Sequence, residues 1–122
     1  DKDKIKEWRL KWKLTPMGRT TDKRKYEKHK RKITSRNLFK KYGITLEEKE
    51  QMILDQDSKC LICGVEFTDC HRCSTAAGVD HCHTTGRVRG ILCSRCNLGL
   101  GCYNDSISNL ASAARYLCKH KH

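Results

Sequence analysis

Apolar residues are sparse at the start of the chain and fall at helical spacing. Ile5, Trp8 and Trp12 recur at intervals of three and four, which predicts a short helix over about residues 2–14. Its stripe reads as core packing rather than base stacking. Thr15-Pro16-Met17-Gly18 interrupts the pattern with the one proline of the chain. A second helix is expected from a cap at Thr21 or Asp22 to Tyr42, with Gly43 just beyond its end. Residues 21–33 offer only Tyr26 and Ile33 as large apolar groups, so that stretch buries little. Leu38, Phe39 and Tyr42 form an apolar cluster near its end, suited to docking on the rest of the chain. Thr45-Leu46-Glu47-Glu48 has the capping-box pattern, and predicts a helix to about Gln56 that buries Leu46, Met52 and Ile53.

Further along, two short extended runs at about 78–83 and 87–92 flank Thr84-Thr85-Gly86 and predict a hairpin. Asn97-Leu98-Gly99-Leu100 follows as a short helix. A last helix starts at Asp105 or Ser106. Its face of Ile107, Leu110, Ala111, Ala114, Leu117 and Cys118 is expected to pack on the body. No internal repeat is visible.

Charge divides the chain where the hydrophobic pattern does. The 122 residues carry a net charge of +12. Residues 1–41 hold 17 Lys and Arg against 5 Asp and Glu, and residues 42–122 hold 9 of each. This predicts two regions: a basic helical arm at 1–41 and a neutral body at 42–122. A polyanion suits such an arm better than a small acidic substrate does. Lys23, Arg24, Lys25, Lys28, Lys30, Arg31, Lys32, Lys40 and Lys41 are its candidate phosphate contacts, with a solvated basic face as the plain alternative. No apolar run approaches the roughly 18 residues of a membrane span, and no signal-peptide pattern opens the chain. The first residue is Asp1, so a fragment of a longer protein is compatible with the sequence.

All nine cysteines lie from Cys60 onward. An odd number argues against a closed disulfide framework. Cys60/Cys63, Cys70/Cys73 and Cys93/Cys96 are C-x-x-C pairs, the usual half-site of tetrahedral zinc. Cys60-Leu61-Ile62-Cys63-Gly64 and Cys93-Ser94-Arg95-Cys96-Asn97 look like the two knuckles. Their C-x2-C-x29-C-x2-C spacing fits a zinc ribbon or treble clef, and buried reduced thiols are the competing reading. Structural zinc would supply folding energy on the order of 10 kcal/mol. Cys70 and Cys73 read as reduced thiols in a surface loop, or as part of a second zinc site with His71 or Cys82. Cys102 and Cys118 read as small apolar packing residues.

Between the knuckles runs Gly78-Val79-Asp80-His81-Cys82-His83. Period 2 places His81 and His83 on one face of the first strand and Asp80 on the other, unless a bulge brings Asp80 round. With Asn97 after the second knuckle, one unit gathers a carboxylate, two imidazoles and a carboxamide. Asp and Asn oxygens suit a hard cation such as Mg2+, and a neutral His is the usual general base. Such a set can hydrolyse a phosphodiester. On the residues alone, zinc ligation by the same side chains stands as an equal alternative.

Tyr42-Gly43-Ile44-Thr45, the Cys60/Cys63 knuckle, the run from Val79 to Cys93, and Cys96-Asn97-Leu98-Gly99-Leu100-Gly101 together resemble the recombination endonuclease VII family of HNH, or ββα-metal, nucleases. The resemblance covers about residues 42–117. It implies a small, zinc-stabilised α+β fold: a treble-clef-like ββα-metal nuclease core with flanking helices. It implies Cys60, Cys63, Cys93 and Cys96 as structural Zn2+ ligands, and Asp80 and Asn97 as ligands of a catalytic Mg2+ or another divalent cation. His81 matches the general base. His83 matches the motif's second histidine, which holds the scissile phosphate or the metal. The implied products carry a 5′-phosphate and a 3′-hydroxyl. Arg87 and Arg89 stand beside the site as candidate phosphate contacts.

The chain departs from the family pattern in two ways. Some relatives place an acid one helical turn after the Asn, where this chain has Leu100. The branched-DNA resolvases also start near the equivalent of Ile44 and continue into a long dimerisation region. Nicking or cleavage of duplex DNA is therefore expected ahead of four-way-junction resolution, with branched DNA and a homodimer left open. The competing function is a non-catalytic zinc-ribbon module that binds nucleic acid; RNA as the substrate ranks third, because the sequence offers no aromatic stacking motif for single strands. Reduced thiols point to a cytoplasmic setting, or to wherever the DNA lies. Four thiolates on Zn2+ carry −2, so the zinc-loaded body would have little general attraction for DNA, and the arm would supply it.

Overall fold

A computed structural model describes residues 2–121. It has five helices and one two-stranded sheet, in the order α1 (Lys2–Leu14), α2 (Pro16–Tyr42), α3 (Leu46–Asp55), β1 (Ala77–His81), β2 (Val88–Cys93), α4 (Ser94–Cys102) and α5 (Ile107–Lys119). The chain falls into two compact units, Asp1–Leu46 and Glu47–His122.

In the first unit the break between helices is a single residue. Thr15 caps α2 by accepting from the Gly18 N–H at 3.1 Å, and Pro16 takes the first helical position. Proline is favoured there because its missing N–H would have no helical partner anyway. The expected start at Thr21 or Asp22 is therefore wrong. Thr20 and Thr21 lie inside the helix and donate their hydroxyls to the Pro16 and Met17 carbonyls. Gly18 is buried under the α1 backbone, where any Cβ would collide with the Trp12 carbonyl, so only glycine fits. The expected packing stripe of α1 does not form: Ile5 and Trp8 are exposed, and only Trp12 is half-buried. At the other end of α2, Gly43 adopts φ 73° and donates to the Phe39 carbonyl at 2.8 Å, as its position predicted.

In the second unit β1 and β2 pair antiparallel, with Ala77 opposite Cys93 and Asp80 opposite Gly90. The connecting turn closes through Cys82 N–H to the Arg87 carbonyl and Gly86 N–H to the Cys82 carbonyl, with Gly86 at φ 71°. The Cys93 knuckle is itself the first turn of α4, which is longer than the short helix expected. Cys93 caps it, its Sγ accepting from the Cys96 N–H. Helix α3 half-buries Met52 and Ile53. Lys49 Nζ donates to the Ala77 carbonyl at 3.1 Å, and burial pulls its pKa down. Beyond α3, the Gln56 carboxamide clamps the outer edge of β2, donating to the Ile91 carbonyl and accepting from the Ile91 N–H, both at 2.9 Å.

The core is small. Its fully or nearly buried apolar residues are Cys60, Val79, Ile91, Leu92 and Cys93. Val65, Phe67, Cys96 and Leu100 pack against the cluster of Cys60, Leu92 and Cys93.

Three expectations fail in this unit. Helix α5 buries no residue, and Ile107 and Leu117 are exposed. Its cap is regular, with Ser106 Oγ accepting from the Asn109 N–H, but the cysteine-centred core is already covered by other residues. Cys102 and Cys118 are exposed rather than packed. Cys70 and Cys73 are joined by a disulfide, so they are neither reduced thiols nor ligands of a second zinc. No described helix is long and apolar enough to cross a membrane.

Candidate functional site

The candidate metal centre is built by two turns facing each other. The first is tightened by Gly64 N–H to the Cys60 carbonyl and Cys60 N–H to the Val65 carbonyl, both 2.9 Å, with Gly64 at φ 71°. That left-handed step is one glycine takes without steric cost. The second turn is the start of α4. Together they bring the Sγ atoms of Cys60, Cys63, Cys93 and Cys96 within 4.8 Å of one another. Cys63 and Cys93 are 3.7 Å apart. Zinc–sulfur bonds of about 2.3 Å in a tetrahedron require a sulfur–sulfur spacing close to that. Among the described residues, these four are the only group of three or more His, Cys, Asp or Glu side chains so gathered.

Electrostatics leads to the same conclusion. Burial pushes the Cys60 thiol up, but backbone N–H groups of Cys63, Cys93 and Ile62 outweigh it and bring it to about 6. Hydrogen bonding to the Val65 backbone leads in lowering Cys63. Burial, then the neighbouring thiols, push Cys96 up to about 12. Four thiolates cannot share this space without a cation, and Zn2+ fits the donor set.

The second group of side chains surrounds the open end of the hairpin. Register shifts between Asp80 and His81: Asp80 pairs with Gly90 but His81 pairs with Val88, so Arg89 is the extra residue of a bulge. Arg89 grips Asp80 with two bonds, Nε to Oδ2 at 2.7 Å and Nη2 to Oδ1 at 2.9 Å. Asp80 is the one charged residue among the buried ones, at 6% exposure. Nη2 also reaches Asp105 Oδ2 at 3.3 Å. Asp80 and Asp105 hold the Arg89 guanidinium pKa above its ordinary value.

His81 and His83 sit with ring centroids 4.8 Å apart. His83 Nδ1 lies 2.8 Å from Asp105 Oδ2. The hydrogen bond with His83 leads in holding the Asp105 carboxyl below the usual carboxylate range; desolvation opposes it, and Arg89 adds to the lowering. Asn97, on α4, places Nδ2 3.4 Å from where a Gly78 Cβ would stand. Gly78 and Asp80 share a face of β1, so Asn97 lies over the face that carries Asp80. In the turn, hydrogen bonds from the Thr85 hydroxyl, then the Thr85 and Thr84 backbones, lower the Cys82 thiol to about 7.

The candidate phosphate contacts are distributed as follows. Arg87 is exposed in the turn, whereas the Arg89 guanidinium is engaged by two carboxylates. Lys23, Arg24, Lys25, Lys28, Lys30, Arg31, Lys32, Lys40 and Lys41 are all exposed on α2, and Lys41 stands over the Tyr42 ring at 5.0 Å. Two residues with polar roles escaped the sequence reading. Asp105 looked like a helix start and Gln56 like a helix end, and no spacing rule links either to the hairpin.

Comparison with known proteins adds three findings. A family model for recombination endonuclease VII matches residues 35–119. A gene 59 protein of Mycobacterium phage D29 is 43% identical over 79 residues, 64% of this chain and 46% of its own length. A gene 59 protein of Mycobacterium phage L5 is 42% identical over 77 residues, 62% of this chain and 44% of its own. The matched stretch thus spans about half the length of these curated relatives. No solved structure matches. With the family model covering more than half of the residues and both zinc knuckles, this chain belongs to the recombination endonuclease VII family.

Proposed function

We propose that this chain is a metal-dependent DNA endonuclease of the HNH, ββα-metal type, which nicks or cleaves and leaves 5′-phosphate and 3′-hydroxyl ends. The observation that supports this reading is a run of contacts linking Asp80 through Arg89 and Asp105 to His83 and His81, with Asn97 near Gly78 on the face of β1 that carries Asp80. Zinc at the thiols is structural: it ties the Cys60–Cys63 turn to the end of β2 and the start of α4.

Asp80 and Asn97 would hold the catalytic cation through hard oxygens. Asp80 is a buried carboxylate whose two oxygens are held by Arg89, so a cation there would have to displace that guanidinium. When bound, Mg2+ supplies neutralisation of the charge that develops on the phosphate and on the leaving 3′-oxygen. His81 takes the proton from the attacking water as a neutral imidazole. His83 holds the scissile phosphate or the metal. Exposed lysines and arginines of α2, with Arg87, hold the DNA backbone, duplex or branched.

The test is cleavage of a supercoiled plasmid and a four-way junction with Mg2+ or Mn2+, followed by end mapping. Wild type should cut, and His81→Ala should lose at least 100-fold, in line with general-base effects of about 10²–10⁴. Equal rates for the two proteins would sink the enzyme reading. One observation favours a second reading, a non-catalytic zinc module that binds nucleic acid: both Asp80 oxygens are taken by Arg89. Metal counting separates the two. A pure binder takes up zinc alone, and an Asp80→Ala, Asn97→Ala double mutant would lose no divalent-cation site.

A further inference from the structure

Asp105 is placed by a costly piece of backbone. It lies between α4 and α5, and both Asn104 (φ 50°) and Asp105 (φ 55°) are left-handed. Asn and Asp tolerate that region better than most residues, yet still at a cost. The turn is held by Asp105 N–H to the Leu100 carbonyl at 3.0 Å and Ser106 N–H to the Tyr103 carbonyl at 2.9 Å. It delivers a carboxylate to the hairpin from 16 residues beyond Arg89 and 22 beyond His83. Oδ2 meets both of those side chains, and Oδ1 is buried with no hydrogen-bond partner among the described residues. Burying an unpaired carboxylate oxygen destabilises a fold. Two left-handed residues and an orphan oxygen are hard to explain by stability alone.

We propose that Asp105 is the positioning residue of this site: it orients His83 through Nδ1 and steadies Arg89 beside Asp80. The proposal rests on the nuclease reading above. A carboxylate only accepts, so a proton on Nδ1 completes the 2.8 Å contact. His83 then carries that proton on Nδ1 whether the ring is neutral or charged, and Nε2 is the nitrogen left for a phosphate or a metal. The partner of one ring nitrogen decides what the other can do. The Arg89 Nη2 that bonds Asp105 also bonds Asp80, so one carboxylate orders a histidine and a buried acid together. Leu100 leaves the α4 position without an acid, and Asp105 brings one to the site from the following loop.

The experiment uses the full chain with Asp105→Gly, which keeps the left-handed step free of strain, and Asp105→Asn, which keeps an acceptor oxygen. The first readout is the protonated ring nitrogen of His83 in zinc-loaded protein, from 15N shifts. The second is kcat and KM for plasmid nicking. Wild type should carry the proton on Nδ1. The Gly variant should move it to Nε2 and lose about 10–100-fold in kcat, with KM little changed, the usual cost of losing the carboxylate that orients a histidine ring. The Asn variant should keep the wild-type tautomer and recover part of kcat. An unchanged tautomer in the Gly variant overturns the proposal, and so does a shifted tautomer with unchanged kcat. A wild type that cuts no DNA removes the nuclease reading instead, and the tautomer measurement still decides whether Asp105 sets His83.

Discussion

Asp80 and Arg89 lock together across the β-bulge, with both carboxylate oxygens bonded to one guanidinium at 2.7 and 2.9 Å. The acid is buried and the arginine side chain is 38% exposed. The pair therefore sits at the edge of the core, where the guanidinium holds both oxygens that the proposed cation would need. Arg89→Met leaves a buried carboxylate without a counter-ion, which costs about 3–5 kcal/mol for a fully buried pair and less at this edge, where the arginine is partly exposed. Unfolding without divalent cations should show that loss. Mg2+ or Mn2+ should then stabilise the variant more than wild type, because the cation no longer competes with Arg89. Equal stabilisation of both proteins would remove Asp80 from the cation site.

Zinc removal should unfold the second unit rather than loosen it. The five buried apolar residues include two of the ligands themselves, Cys60 and Cys93. Zinc contributes about 10–16 kcal/mol in small zinc domains, against a typical net stability of about 5–15 kcal/mol. Chelation should collapse the amide dispersion of Val79, Ile91 and Leu92 in NMR spectra, and added zinc should restore it. A zinc-free protein that keeps those dispersed signals would contradict a structural role.

Local rules made much of this legible in advance. The two knuckles are readable because a metal half-site needs only two residues between thiols, and the structure gathers the same four cysteines. The hairpin and the Gly43 cap are readable because each rests on one or two residues of fixed conformation. Asp80 and the histidines stood out through their residue types. Asp105, Gln56 and the bulge that brings Arg89 onto Asp80 are tertiary features. Each joins side chains 9 to 35 positions apart, and no periodicity carries that information. Thr21 misled for the opposite reason: a good capping residue lies six positions inside a helix that Thr15 and Pro16 had already begun. The face of α5 misled because amphipathicity shows that a helix has an apolar side, not what covers it.

Gln56 gives a stability prediction independent of metal and catalysis. Its carboxamide imitates a peptide group of a third strand, giving and receiving one hydrogen bond with Ile91, and donating also to the Lys59 carbonyl. Ile91 is fully buried, so its edge N–H and C=O have no ready access to water. Gln56→Ala should cost about 1–3 kcal/mol in thermal or urea unfolding. Gln56→Glu keeps an acceptor for the Ile91 N–H but loses the donor, and should fall between. A Gln56→Ala variant as stable as wild type would show that the clamp adds nothing.

The charge division of the chain gives a prediction about binding rather than cutting. If α2 holds the phosphate backbone, each of its contacts releases counter-ions, and affinity falls with salt by about 0.9 in log–log slope per contact. Lys30, Arg31 and Lys32 are consecutive exposed cations on α2. They project in different directions around a helix of about 3.6 residues per turn, so not all three can face one duplex. Replacing all three with Gln should flatten the salt slope for duplex DNA by roughly 1–2, weakening affinity uniformly across sequences. The same change should leave the zinc content and the unfolding of the second unit alone, since it removes only exposed side chains of the first. A slope that stays at its wild-type value would place the DNA contacts elsewhere, with Arg87 as the next residue to replace.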